Sequence, residues 1–174
     1  MKELPSQAEL HKLLSYSSTS GDLYWNSRPG DTRFNNHYAG AKALTAKTTG
    51  GYLHGQINGE KYYAHRVIWK MHFGDDPFHI DHINHCSSDN RLENLRSVTK
   101  QENCRNTSVG SRNTSGCVGV VWDKERGMWA AQIKMNKKNH YLGRFVSFAQ
   151  AVAARKAAER DLGFHDNHGA ANAG

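Results

Sequence analysis

The chain has 174 residues, 37% of them hydrophobic, with 16 glycines and 3 prolines, and a net charge of +7 before any of its 11 histidines is protonated. That is apolar-poor for one large core yet far from the disordered class, so small modules are expected. The positive excess favours polyanionic partners, nucleic acid first and a membrane surface second, and no run approaches the roughly 20 apolar residues that span a bilayer.

The start, "MKELPSQAEL", lacks the apolar core of a signal peptide, so a cytoplasmic location is expected, the host cytoplasm if a phage encodes the chain. Cys86, Cys104 and Cys117 form no CxxC pair and are odd in number, which argues against a disulfide framework and a four-cysteine zinc site. Free thiols are the expectation, with a zinc site mixing Cys86 or Cys104 with nearby histidines as the alternative.

In chain order, "PSQAELHKLL" predicts a short helix, with Ser6 and Glu9 at capping-box spacing and Leu10, Leu13 and Leu14 on one stripe. "LYWN" reads as a strand after a Gly21-Asp22 turn, and 27–50 is polar with little periodicity. Asn58-Gly59 between short alternating runs predicts a hairpin. "RVIWKMHF" reads as a short helix closing before Gly74. "HIDHI" and "NLRSV" are then strands separated by a long polar loop, and Thr99 with Glu102 caps a helix over about 99–107. "SVGSRNTSG" reads as a linker. Beyond it come three strand-like runs joined by "DKERG" and "NKKN" turns, a helix capped by Ser147 and Gln150 and stopped by Gly163, and a frayed tail.

The stretch from His79 to Asn103 concentrates imidazole, amide and carboxylate groups. Cutting a phosphodiester needs a base to activate water, a cation to stabilise developing charge, and groups that hold both. Histidine suits the first role because it titrates near neutrality. Carboxylate and amide oxygens suit a hard ion such as Mg²⁺, which keeps several waters. Asp81 and His82 are adjacent at a strand end, so their side chains diverge in a regular strand and the chain must bend at His82 for both to serve one phosphate.

The pattern "IDHIN....DNRLENLR.VT...N..N" resembles the HNH endonucleases, in the branch found in phage and intron-encoded homing enzymes. That resemblance implies a ββα-metal fold, His82 as general base, Asp81 and Asn103 as ligands of one divalent cation (Mg²⁺ or Mn²⁺), and Asn94 steadying the loop and orienting His82. His85, Cys86 and Ser87 depart from it, since relatives tend to carry small residues or glycine there. "YYAHRVIW" resembles the usual lead-in, and His65, Arg66, Arg91 and Arg96 are candidate DNA contacts.

Residues 113–164 resemble the AP2 DNA-binding domain through GVxW, WAAxI, LGxF and an alanine-rich helix. The resemblance implies a three-stranded antiparallel sheet on one helix, its open face laid into the major groove. Period-two alternation in "MWAAQIKM" agrees, with Trp129, Ala131, Ile133 and Met135 on one face. Trp122, Lys124, Arg126, Trp129, Lys134, Lys137, Lys138 and Arg144 are the candidate contacts, core packing being the competing role for both tryptophans.

The expected architecture is therefore α+β: a lead-in region at 1–75, a ββα-metal core at 76–107, a linker at 108–115, an AP2-like domain at 116–165 and a tail at 166–174. The expected function is metal-dependent hydrolysis of double-stranded DNA at a recognised site, leaving 5′-phosphate and 3′-hydroxyl ends. One active site per chain suits a nicking monomer, and double-strand cleavage would require a dimer or rebinding. The alternatives are a DNA-binding regulator whose HNH module is inactive, and a structure-specific or RNA-directed nuclease.

Overall fold

The computed structural model describes residues 3–99, 103, 109–110, 113–136, 138–166 and 168–170. The chain divides between residues 100 and 101 into two compact units, which are taken separately below.

In the first unit, α1 (Gln7–Leu13) starts where the Ser6 hydroxyl accepts from the Glu9 amide, and buries Leu10. Leu14 then turns extended and opens β1 (Leu14–Tyr16), which pairs antiparallel with β2 (Leu23–Trp25). The stretch that lacked periodicity holds α2 (Thr32–Tyr38), capped by Asp31, followed by short strands β3 (Lys42–Ala43) and β4 (Ala46–Lys47). β3 extends the β1–β2 sheet, while β4 joins the hairpin of β5 (Leu53–Ile57) and β6 (Glu60–Tyr63). Asn58 and Gly59 turn that hairpin with φ of 51° and 82°, the left-handed pair an Asn-Gly turn supplies without strain.

α3 (Ala64–Phe73) follows, and closes at a left-handed Gly74 whose amide bonds the Lys70 carbonyl. It buries Ala64, Val67, Ile68 and Met71, an i, i+3, i+4, i+7 stripe, against Leu4, Leu10, Leu14, Leu23, Ile57 and Leu95. Burying each of these leucines or isoleucines contributes about 1.5–3 kcal/mol. Lead-in and nuclease segments therefore share one core. β7 (Ile80–His82) and β8 (Leu95–Ser97) make the remaining antiparallel ladder, with Asp81 opposite Arg96 and His82 opposite Leu95.

The second unit is a three-stranded antiparallel sheet, β9 (Val120–Asp123), β10 (Met128–Met135) and β11 (Lys138–Phe145), with β10 central. Helix α4 (Phe148–Asp161) packs on it and begins with a full Ser147–Gln150 capping box. Val120, Ala131, Ile133 and Ala151 are buried, so the alternation read from β10 is the one observed.

Two expectations are revised here. The end of the supposed linker is ordered by its own side chains: Asn113 Nδ2 donates to Cys117 O at 2.9 Å, and Ser115 Oγ to Val120 O at 2.6 Å. His168, in the stretch expected to be a frayed tail, is also buried. The buried Arg155 guanidinium bonds Glu159 Oε1 at 2.8 Å and Gln132 O at 2.6 Å, and its Nη2 lies 3.0 Å from Nε2 of His168, which is itself buried. A buried charge must find partners, and His168 completes that set. No helix among the described residues is long and apolar enough to cross a membrane.

Candidate nuclease site

His82 ends β7, and the chain leaves the strand at Ile83, whose amide bonds the Asn94 carbonyl at 2.9 Å. His85 then takes a left-handed φ of 63° in a turn whose amide bonds His82 O at 3.1 Å. This is the segment where glycine or small residues were expected, and the backbone shape accounts for that preference.

The loop is braced by side chains. Asn94 Oδ1 accepts from the Asn84 amide at 2.9 Å and Asn94 Nδ2 donates to Asp89 O at 2.7 Å. Asn84 Nδ2 reaches Asp89 Oδ2 at 2.8 Å. Arg91 grips the same carboxylate through Nε at 2.9 Å and Nη2 at 2.7 Å. Arg91 holds the Asp89 carboxyl down at about 2, against an ordinary 3.8, with burial opposing. A carboxylate depressed in the folded state stabilises fully above its unfolded pKa, and that contribution disappears as pH falls through the folded value. We expect a loss of roughly 1–2 kcal/mol on acidification from about pH 4 towards pH 2, after discounting for the partly solvated Arg91. Urea midpoints of wild type and Asp89→Asn across that range check this: the variant should start lower and show less acid dependence.

Asp81 and His82 are both buried, at 8% and 5% exposure. Asp81 Oδ2 accepts from Arg96 Nε at 3.0 Å and Nη2 at 2.7 Å, the cross-strand pair that the register dictates. His82 Nε2 lies 3.0 Å from Asn90 Oδ1. Its ring sits 5.7 Å from Tyr52 and 5.3 Å, edge-on, from His65. Burial lowers the His82 pKa below the ordinary imidazole value, opposed by the Asn90 hydrogen bond and the charges of Asp81 and Asp89. The ring is thus a neutral base at neutral pH, able to accept a proton.

Residues 62–105 match the family described as HNH endonuclease. The chain carries an HNH endonuclease domain. It is also 36% identical over 78 residues to Protein 3.8 of Escherichia phage T7, a segment making up 44% of this chain and 64% of that protein. The chain thus spans less than two thirds of this phage relative's length. No solved structure matches the chain.

Within the HNH domain, Asp81, His82 and Asn94 lie together on β7, its loop and the 3₁₀ turn Leu92–Asn94. Asn94 braces the loop, whereas the amide observed on the His82 ring belongs to Asn90, which had no assigned role. Asn90 stands in the quoted motif, but a bond across eight residues depends on the loop's path and leaves no spacing signal. Asn103 is helical and exposed in the second unit, and residues 100–102 and 104–107 of its expected helix lie outside the described residues.

The expected DNA contacts divide by environment. His65 is 7% exposed and stacks on Tyr63 at 5.5 Å; burial, with the charges of His82 and Arg66, lowers its pKa to about 3. It is a neutral wall of the His82 pocket, a poor partner for phosphate. Arg66 pairs with Asp76, and Arg91 and Arg96 are engaged as above.

In the second unit Trp122 and Trp129 are register partners on the helix side of the sheet, edge-on at 5.2 Å, and Trp129 also packs 4.8 Å from Phe148. The open face presents Val121, Lys134, Tyr141 and Arg144, the last bonded to Asp123 Oδ2 at 3.0 Å. Lys124 and Lys138 are exposed, Arg126 lies 3.6 Å from Asp123, and Lys137 is outside the described residues.

Proposed function

We propose that this protein is a metal-dependent DNA endonuclease of the homing type, hydrolysing double-stranded DNA at a recognised site. The observation that carries this reading is the buried His82 beside the buried Asp81 at one strand end, inside the matched HNH domain. His82 takes a proton from water, the resulting hydroxide attacks the phosphorus in line, and the 3′ oxygen departs. The ends are 5′-phosphate and 3′-hydroxyl. Tyr52 and His65 flank the ring.

The donor fits a hard cation. Asp81 is a buried carboxylate. That donor suits Mg²⁺ or Mn²⁺, which take one or two carboxylates and retain water. Asp81 would hold the ion. Bound there, the cation would supply Lewis-acid stabilisation of charge on the phosphate and leaving oxygen. Relaxation of supercoiled plasmid across a Mg²⁺ titration tests this: Asp81→Asn should lose cation-stimulated nicking, and nicking that keeps the wild-type cation dependence would refute the ligand assignment.

The second unit is proposed as an AP2-like DNA-recognition module, supported by its three strands, the helix packed on them and an open face bearing Lys134 and Arg144. Lys134 is exposed on that face. Lys134→Ala should weaken binding on all sequences and reduce the salt slope of log K by about 1. Fluorescence anisotropy at several salt concentrations checks both. The regulator reading draws on one observation, the hold of Arg96 on Asp81, which occupies one carboxylate oxygen.

A further inference from the structure

Asn90 is 1% exposed, the most buried polar side chain among the described residues. Its Oδ1 lies 3.0 Å from His82 Nε2. An amide oxygen only accepts, so the ring nitrogen donates. A neutral imidazole with its proton on Nε2 carries its lone pair on Nδ1.

The rest of Asn90 does not look like a loop brace. Asn94 shows what bracing requires, since both ends of its amide bond the loop. Asn90 Nδ2, by contrast, is buried with no hydrogen-bond partner. A buried donor left unmade is destabilising, so bracing alone does not account for an asparagine here. What distinguishes asparagine at this position is the acceptor on the His82 ring.

The backbone around Asn90 is held from the far end of the unit. Tyr16 Oη donates to the Asn90 carbonyl at 3.2 Å and accepts from the Leu92 amide at 3.1 Å. Gly21 backs onto the same peptide so closely that a Cβ there would stand 2.7 Å from Asn90 C. The β1–β2 turn therefore fixes the amide, and the amide fixes the ring.

We propose that Asn90 is a positioning residue: it locks His82 as the Nε2–H tautomer, so that Nδ1 is the atom that takes the proton from water. The tautomer assignment stands on geometry alone, while its use in catalysis rests on the nuclease reading.

The test is two-bond ¹H–¹⁵N correlation of the His82 ring in the full chain, at a pH where the ring is neutral. Wild type should show protonated Nε2 and unprotonated Nδ1. Asn90→Ala should shift the ring to a mixture of tautomers, and Asn90→Asp, which keeps an acceptor, should restore Nε2–H. In cleavage, Asn90→Ala should lower kcat by about 10- to 100-fold with KM unchanged. An Nδ1–H ring in wild type overturns the proposal, and so does an unaltered tautomer in Asn90→Ala. A kcat that holds while KM rises overturns the catalytic use. Should the wild-type protein cut no DNA while its ring shows the expected shifts, the nuclease reading fails and the Asn90 assignment is upheld. The wild-type spectrum decides even if Asn90→Ala does not fold.

Discussion

His82→Ala is expected to abolish DNA cleavage while leaving DNA binding nearly intact. General base catalysis contributes between about 10² and 10⁴ in rate, so a loss of roughly 10³-fold, about 4 kcal/mol of barrier, is the expected scale. The ring's surroundings explain why nothing nearby should replace it. His65 is the neighbouring imidazole, but it is buried, and its pKa of about 3 makes it a far weaker proton acceptor. Binding should survive because His82 is 5% exposed and offers little surface to DNA. The pH profile carries the same signature. The burial-lowered pKa of His82 means that the base form fills below the ordinary imidazole range. Cleavage should therefore rise with pH through a midpoint under 6.5 and stay level above it. Single-turnover rates of wild type and His82→Ala against pH, with anisotropy for binding, check both. A variant that cuts at the wild-type rate would remove His82 from the chemistry.

Gly21→Val should be strongly damaging although it lies outside the site. Gly21 has φ +75°, and a Cβ there would lie 2.6 Å from Arg91 N and 2.7 Å from Asn90 C. The left-handed backbone costs a side chain about 1–2 kcal/mol, and forcing the contact adds about 1–3 kcal/mol. Neither atom is the end of a flexible side chain, so relief requires the nuclease loop to move away from the β1–β2 turn. We expect about 2–5 kcal/mol of destabilisation in urea and weakened cleavage even where the protein stays folded. A Gly21→Val protein with unchanged urea midpoint and rate would show that this packing does not set the loop.

Both predictions turn on links that local sequence carries unevenly. Short-range chemistry was legible: the Ser6 cap, the Asn58-Gly59 turn, the stop at Gly74 and the Ser147–Gln150 box all lie where a few residues decide the outcome. The strand–loop–strand order around His82 was legible for the same reason, because turn residues separate two β-branched runs.

Helix α2 escaped because it buries no residue and leaves no apolar stripe. It is held instead by Asp31 at its start, by Asn35 bonding both ends of the Arg28 peptide, and by Arg28 stacked 3.7 Å over Phe34. Leu14 continued the helical stripe of Leu10 and Leu13, yet it pairs with Trp25 as a strand. Tertiary pairing overrode the local period there. In the site, ligand-type residues stand out by chemistry, whereas Asn90, the burial of His65 and the face taken by Trp122 depend on register and loop path across many residues.

The measurement that bears most directly on the whole account is incubation of the purified full chain with supercoiled DNA of the genome that encodes it, with Mg²⁺ and with EDTA. The account predicts discrete, EDTA-sensitive nicks or breaks at mapped positions, with 5′-phosphate and 3′-hydroxyl ends that ligase seals. Tight, salt-sensitive binding to DNA that stays intact in Mg²⁺ and in Mn²⁺ would contradict it.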